Sequence, residues 1–267
     1  IPDPYLANFK NLICLTIFMS AIVSLKNVSL FVEDKTILSN VSFDVEEGEK
    51  IFIMGGDGSG KSTILKLLAG LLRFQEGEVF VLGKNLKNVS RKDLQEIRKK
   101  LGFVFQEGAL AANLTAIENL MLPLRYHSIY SDDLAPSVAE ELLAMVGMQD
   151  YCNYYPIELN LGMKKKVGIA RALAMNPKLV LYDDPSLDMV GLARKMLEDH
   201  IVWLHNKLGI TSIIVTSNLQ FAKREADRII IISKGKVLAL GTLNELESGT
   251  DEKIKNFLVT GNLAKIF

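Results

Sequence analysis

A nine-residue run in the first quarter of the chain carries the strongest chemical signal in the sequence. Residues 55–63 fit the pattern G-x-x-x-x-G-K-[ST], in which glycines let the backbone curl so that successive N–H groups converge on phosphate oxygens. In such a P-loop Lys61 supplies positive charge to the outer phosphates, and the Ser62 hydroxyl ligates Mg²⁺. The run therefore predicts binding of a nucleoside triphosphate. The predicted nucleotide-binding residues are Gly55, Gly56, Asp57, Gly58, Ser59, Gly60, Lys61, Ser62 and Thr63.

The segments on either side of this run fit the same interpretation. Residues 50–54 are rich in β-forming types, and residues 64–69 favour a helix. A helix that starts directly after the loop adds the positive end of its dipole to the phosphate site. The alternative is a glycine-rich turn without a ligand, but strand, loop and helix in this order favour a nucleotide site.

A second chemical signal lies at the end of an apolar strand predicted over residues 179–182. The strand ends in Asp183, and ligands of parallel sheets bind at the carboxyl ends of the strands. Asp183 is therefore predicted to reach the Mg²⁺ ion that Ser62 holds. Because apolar strands often end in aspartate, this assignment depends on the P-loop upstream.

The elements that must position these residues alternate between strands and helices. Residues 21–45 suggest short antiparallel strands, residues 107–165 suggest a helical insertion, and later strands alternate with helices. Strands that alternate with helices imply a parallel sheet with right-handed crossovers. The sequence thus predicts an α/β fold with a mainly parallel sheet and an N-terminal antiparallel β subdomain. Helix starts are predicted at Ser90, Thr115 and Ser137, each followed three residues later by an acidic residue.

The domain organisation follows from these elements. We expect residues 1–20 to be an extension outside the fold, residues 21–248 to form one ATP-binding domain, and residues 249–267 to form a helical tail. The apolar stretch at residues 11–18 is too short to span a bilayer. It also lacks the basic lead and the cleavage site of a signal peptide.

Composition excludes several classes of protein. The 267 residues carry 31 acidic and 31 basic side chains, so bulk attraction to nucleic acid or anionic lipid does not organise the chain. We expect no nucleic-acid partner. The two cysteines, Cys14 and Cys152, are too few for a disulfide framework, which suggests a reducing compartment.

The order of the motifs resembles the nucleotide-binding domain of ABC transporters, over about residues 21–242. Residues 106–127 and 241–258 further resemble the ATPases of bacterial lipid transporters that work with mammalian-cell-entry (MCE) type lipid-binding proteins, as in Mla systems. The motifs that carry the family resemblance are the P-loop, Gln106, Leu159-Asn160-Leu161-Gly162-Met163, Asp183-Asp184-Pro185 and Val215-Thr216-Ser217.

The resemblance implies a head-to-tail dimer with ATP between one P-loop and the other subunit's signature sequence, where Asn160 and Gly162 lie. Gln106 would join the shell of Mg²⁺ and the attacking water. The alternative is a simple polar strand end, but its position between Phe105 and a helical insertion favours the functional role. The dimer would consist of two copies or of two different ATPase subunits. A transmembrane permease would dock on the helical insertion and hold a cytoplasmic protein peripherally at the inner membrane.

The chain departs from the family pattern where hydrolysis is concerned. Asp184 stands in place of the usual glutamate that orients the water, and Ser217 in place of the switch histidine. Both are the candidate catalytic residues, with Gln106. Leu161 is bulkier than the usual glycine of the signature, and Asp188 matches the following loop only when residues are skipped.

Two groups that act on the water are therefore compromised, and each is typically worth about 10²–10⁴-fold in rate. We expect Mg-ATP binding with weak hydrolysis, in a subunit that drives lipid transport through a permease. The first alternative is an impaired ABC protein that keeps ATP as a regulatory or structural ligand. The second is a soluble ABC ATPase outside transport, which usually brings fused domains or long inserts.

Overall fold

The computed structural model describes residues 21–127, 131 and 133–261. The predicted extension at residues 1–20 lies outside the described residues, as do residues 262–267 of the predicted tail. The strands are β1 Ala21–Val32, β2 Lys35–Glu46, β3 Lys50–Gly55, β4 Glu76–Val81, β5 Lys84–Asn85, β6 Leu101–Val104, β7 Leu179–Asp183, β8 Thr211–Val215, β9 Arg228–Ser233 and β10 Lys236–Gly241. The helices are α1 Lys61–Leu68, α2 Arg91–Lys99, α3 Ala116–Tyr126, α4 Ala135–Met145, α5 Leu161–Leu173, α6 Gly191–Leu208, α7 Leu219–Glu225, α8 Leu243–Ser248 and α9 Glu252–Thr260.

The strands form two sheets, and the larger one carries the predicted chemistry. Its order is β10-β9-β3-β8-β7-β6, and the five strands from β9 to β6 are parallel. The smaller sheet has the order β2-β1-β4-β5 and is antiparallel. The predicted α/β fold with a mainly parallel sheet and an N-terminal antiparallel subdomain is confirmed.

Strand β3 shows why the large sheet is apolar on both faces. Phe52 and Met54 pack into one core with the helical insertion, whereas Ile51 and Ile53 pack into a second core with α1 and the antiparallel sheet. Alternate residues of a strand point to opposite faces, so a strand covered on both sides has a continuous apolar run. The sheet is therefore held between two cores, and its strand ends have fixed positions.

The capping signals were right at two of three helices. Ser90 accepts a hydrogen bond from the Asp93 N–H at the start of α2, and Thr115 and Glu118 form a capping box at the start of α3. The start predicted at Ser137 is wrong, because α4 begins at Ala135 and the Ser137 hydroxyl donates to the Leu134 carbonyl instead. Pro136 lies in the first turn, where a missing N–H costs nothing, so the helix begins before Ser137.

The structure also contains a helix that the sequence reading missed. Helix α7 is short and follows β8, and the Asn218 side chain caps it by accepting from the N–H groups of Gln220 and Phe221.

No helix within the described residues combines the length and apolar character that crossing a membrane requires.

Candidate functional site

The P-loop connects β3 to α1, as the sequence predicted. Gly60 lies at φ 104°, a backbone conformation that residues with a side chain rarely adopt, so glycine is strongly favoured there. The half-buried Lys61 ammonium donates to the carbonyl oxygens of Gly55 at 2.9 Å and Gly56 at 2.8 Å. Burial lowers the pKa of Lys61, and the negative charges of Asp57, Asp184 and Asp183 partly offset this by raising it. The lysine is thus folded over the loop that the sequence assigns to phosphates.

A tight turn from the edge of the large sheet supports this loop. Gly235 donates its N–H to the Ser59 carbonyl at 3.0 Å, and its own carbonyl accepts from the Ser39 N–H at 2.9 Å. A Cβ atom on Gly235 would lie 2.3 Å from the Ile37 carbonyl oxygen, so only glycine permits this approach. The turn joins the P-loop to the antiparallel sheet.

Strand order brings the remaining candidate residues to the same edge of the sheet. Strands β3, β8, β7 and β6 are neighbours in that order. The P-loop, Ser217, Asp183 and Gln106 follow or end these strands at their carboxyl ends. This is where ligands of parallel sheets bind.

The contact between Ser62 and Asp183 joins the two halves of the predicted site. The Ser62 hydroxyl donates to Asp183 Oδ1 at 2.7 Å, although the residues lie 121 positions apart. A hydroxyl and a carboxylate in contact form an oxygen-rich pair of the kind that Mg²⁺ prefers. Two buried oxygens close to this pair in the chain, Ser59 Oγ and Asp184 Oδ1, have no hydrogen-bond partner among the described residues. This donor set fits a magnesium nucleotide.

The metal would depend on the nucleotide as well as on the protein. Within the described residues, no group of three or more His, Cys, Asp or Glu side chains could hold a metal ion. Mg²⁺ is usually held by one or two carboxylates together with substrate phosphates.

Asp184 is the most unusual side chain of the site. It is buried, its backbone lies in the left-handed region at φ 41°, and its N–H donates to the Val215 carbonyl at 3.1 Å. Burial raises the pKa of Asp184, whereas a hydrogen bond from Ser217 and the charges of Arg194, Lys61 and Lys165 lower it. The two residues that replace the family's glutamate and histidine therefore contact each other.

We expect this burial to appear as a pH dependence of stability. Because the folded pKa of Asp184 is raised, the folded protein retains a proton that the unfolded chain has released, and stability falls as pH rises through that window. Asp184→Asn cannot ionise, so we expect its melting temperature to exceed that of the wild type by about 2–4 °C at neutral pH. The gain should vanish near pH ~4, where an ordinary aspartate is half protonated.

Scanning calorimetry of the protein without nucleotide or Mg²⁺, at several pH values, measures this effect. The exposed Asp188 lies in the loop that follows, and Asp188→Asn is the matched control with no expected change. A loss of stability in Asp184→Asn that is the same at every pH would contradict the expectation.

The backbone carbonyl of Gln106 is held by a buried lysine, Lys165. The residue lies two positions beyond β6 and is half-buried. Its carbonyl accepts from Lys165 Nζ at 2.8 Å, and Lys165 is only 2% exposed. A run of three lysines such as residues 164–166 is typical of a solvated basic face, but burial excludes this for Lys165. Burial lowers the pKa of Lys165, against the charges of Asp184, Asp188 and Glu107.

The signature segment lies at the start of α5 in the helical insertion. Asn160 caps this helix, since its Oδ1 accepts from the Met163 N–H at 3.0 Å. A Cβ atom on Gly162 would meet Met189 Cε at 3.4 Å. Leu161 is 38% exposed, so an apolar side chain faces outward where the family pattern has glycine. The roles of Asn160 and Gly162 toward a nucleotide stay predictions.

One buried residue of the site, Glu198, was not identified from the sequence. Glu198 lies on α6 among the buried residues Leu197, Ile201 and Leu204, and it is 2% exposed. It accepts hydrogen bonds from Ser186 and Asn218, which follow Asp184 and Ser217 closely in the chain. The available signal was a glutamate at an inward-facing helical position, because carboxylates are rarely buried without partners.

Comparison with known proteins agrees with this geometry. Residues 38–187 match the protein family described as ABC transporter. The methionine import ATP-binding protein MetN of Clostridioides difficile (strain 630) is 35% identical over 224 residues, covering 84% of this chain and 70% of that protein. The intermembrane phospholipid transport system ATP-binding protein MlaF of Haemophilus influenzae is 31% identical over 237 residues, covering 89% of this chain and 90% of that protein.

Solved structures give the same result. The dimeric structure of the ATP-binding cassette MJ0796, in a post-hydrolysis state bound to ADP and Pi, is similar with a TM-score of 0.76 and 34% identity. The similarity covers 83% of this chain and 98% of that one. Sequence motifs, strand-end geometry and relatives agree, and the chain belongs to the ABC transporter family as one of its ATP-binding subunits.

Proposed function

We propose that this subunit binds Mg-ATP at its P-loop and couples closure of an ATPase dimer to a membrane permease that moves lipid, with slow hydrolysis. The observation that carries the nucleotide site is the 2.7 Å contact between Ser62 and Asp183. It is supported by Lys61, whose ammonium already lies over the loop carbonyls and needs only to turn toward a phosphate.

Each residue has a distinct part in this proposal. The P-loop amides and Lys61 bind the phosphates, and Ser62, Asp183 and Gln106 hold the metal. Bound Mg²⁺ neutralises phosphate charge and orients the terminal phosphate. Gln106 also reports the state of the site to the permease, because it leads from β6 directly into the helical insertion.

Slow hydrolysis follows from the shorter groups at Asp184 and Ser217. Asp184 is one methylene shorter than glutamate, and a displacement of about 1 Å from the productive geometry costs on the order of 10²-fold. The Ser217 hydroxyl lowers the pKa of Asp184, but serine has no imidazole to place near the terminal phosphate. The replacement of the usual glutamate and histidine by Asp184 and Ser217 also favours a second candidate function. In it, ATP acts mainly as a regulatory or structural ligand that closes the dimer.

The proposed dimer places the outward-facing Leu161 opposite a second P-loop. The relative MJ0796 was solved as a dimer, in one structure bound to ADP and Pi. In a homodimer each site receives Asn160, Leu161 and Gly162 from the other copy. In a heterodimer a partner with the usual signature completes only the site at this chain's P-loop.

Lipid is the proposed substrate because of the relatives named for phospholipid transport and because of residues 106–127 and 241–258. The MlaF proteins of Haemophilus influenzae and Escherichia coli match over 89% of this chain. Relatives named for methionine and polyamine import match equally well, so the substrate is a separate test. We also propose a cytoplasmic location at the inner membrane, an MCE-type lipid-binding protein as a further partner, and the domain limits 21–248 and 249–267.

Reconstitution tests this function. The chain would be co-expressed with the permease and any lipid-binding protein that its neighbouring genes prove to encode, and the complex placed in liposomes with radiolabelled phospholipid. We expect ATP-dependent phospholipid transfer to acceptor vesicles that Lys61→Ala abolishes, while the exposed Lys66→Ala on the same helix retains it. Transfer of methionine or spermidine instead, or a neighbouring permease of another class, would refute the lipid assignment.

A further inference from the structure

Glu198 on α6 is a buried carboxylate with an unusually complete set of partners. Its Oε1 accepts from Ser186 Oγ at 2.8 Å, from Arg194 Nε at 3.1 Å and from Asn218 Nδ2 at 2.9 Å, and its Oε2 accepts from Asn218 Nδ2 at 3.0 Å. A buried charge is costly unless it is paired and hydrogen-bonded. These four residues, here called the Glu198 cluster, satisfy that condition.

The cluster joins the two loops that carry the candidate catalytic residues. Ser186 lies two positions after Asp184 at the exit of β7, and Asn218 directly follows Ser217 at the exit of β8. Asn218 is itself fixed, because its N–H donates to Thr216 Oγ1 at 3.1 Å and its Oδ1 caps α7. The Glu198 carboxylate, which lies on helix α6, therefore accepts hydrogen bonds from both loops.

Among the described residues, the sheet offers little backbone contact between the two loops beyond the last strand pair. Backbone pairing between β7 and β8 ends at Asp183 and Val215, and only the Asp184 N–H continues it by donating to the Val215 carbonyl. Beyond that point, side chains must set the relative position of Asp184 and Ser217.

We propose that Glu198 is a positioning residue, which holds the loop of Asp184 and the loop of Ser217 in one fixed relation for the reaction. The inference rests on the proposed role of those two residues in hydrolysis. Glu198 touches neither nucleotide nor water in this proposal and acts through Ser186 and Asn218.

The charge of Arg194 is also placed by this cluster. Glu198 is 2% exposed and Arg194 29% exposed, so the pair lies at the edge of the buried region. The positive charge of Arg194 lowers the pKa of Asp184 and so favours its ionised carboxylate. Loss of Glu198 would free this guanidinium as well as the two loops.

The chain offers a matched control in Glu49. This carboxylate is 9% exposed, pairs with Arg228 at 27% exposed, and joins the β2–β3 connection to β9, away from Asp184 and Ser217. Glu49→Ala removes a comparable buried ion pair without touching either loop.

The experiment compares Glu198→Ala, Glu198→Gln and Glu49→Ala by amide hydrogen exchange, Mg-ATP affinity and ATP turnover. We expect Glu198→Ala to raise exchange about tenfold in residues 184–190 and 216–221 together, with β3 unchanged. We expect kcat to fall about 10–100-fold, with KM and the dissociation constant for Mg-ATP changed less than about threefold, because the P-loop is untouched. Glu198→Gln retains one carbonyl acceptor and should recover part of both effects, and it carries the test if the alanine variant does not fold.

Unchanged exchange in the two segments, a rise in only one of them, or the same general rise as in Glu49→Ala would overturn the proposal. A loss of Mg-ATP affinity equal to the loss of kcat would also overturn it, since Glu198 would then act on binding. If the wild type binds no ATP, the proposed function fails, and the exchange measurement still decides whether Glu198 fixes the two loops.

Discussion

Lys61→Ala is expected to weaken Mg-ATP binding by about 10–100-fold, the largest loss from any single side chain of the P-loop. Charge-assisted hydrogen bonds contribute about 1.5–3 kcal/mol each, which corresponds to this range. In the structure the ammonium contacts only the carbonyls of Gly55 and Gly56, so it can exchange them for phosphate oxygens without moving the backbone. Isothermal titration calorimetry with a non-hydrolysable ATP analogue measures the change.

Lys66 provides the control for this variant. It lies in the last turn of the same helix, α1, and is exposed, so Lys66→Ala removes an equal charge away from the loop. We expect its affinity to equal that of the wild type. Unchanged affinity in Lys61→Ala, measured with Mg²⁺ present and with Mg²⁺ chelated, would refute nucleotide binding at the P-loop.

The second large effect is a gain of turnover in the double variant Asp184→Glu with Ser217→His. Each restored group acts on the attacking water, and such groups are typically worth about 10²–10⁴-fold in rate. Asp184 Oδ1 is buried without a partner, so a longer carboxylate reaches further toward the phosphate site from the same backbone. Ser217 is exposed, and a larger side chain fits there without displacing the core. We expect turnover at least about 100-fold above the wild type.

Phosphate release from the purified homodimer at saturating ATP measures the difference. Asp188→Glu adds the same methylene to an exposed aspartate of the neighbouring loop and should leave turnover unchanged. A wild-type rate typical of the family that Asp184→Asn abolishes would show that the short carboxylate is already sufficient, and the claim of slow hydrolysis would be wrong.

Much of the fold and of the nucleotide site followed from local sequence. The P-loop could be placed because its glycines, lysine and flanking elements are contiguous, and each acts through its own backbone or a short side chain. The strands of the large sheet were predictable because burial on both faces leaves continuous apolar runs. Thr115 and Glu118 were recognisable because a capping box needs only residues three positions apart.

The features that were missed depend on contacts across the fold. Lys165 looked like part of a basic surface because its partner, the Gln106 carbonyl, lies 59 positions away. Glu198 could be recognised as buried from helical periodicity. Its hydrogen-bond donors Ser186 and Asn218, however, lie in two distant loops, after β7 and after β8. Ser137 failed for a local reason, since Pro136 is compatible with a helix that has already begun.

Trp203 gives helix α6 an optical signature of its own. It is the single tryptophan of the chain and is 43% exposed. Its indole stacks on the His200 imidazole with 5.3 Å between ring centroids, and Lys207 Nζ lies 4.4 Å from the ring centre. Burial and the charge of Lys166 lower the pKa of His200, which favours the neutral form of this imidazole. Fluorescence emission of the unlabelled protein therefore reports on the helix that carries Glu198, free of interference from histidine protonation.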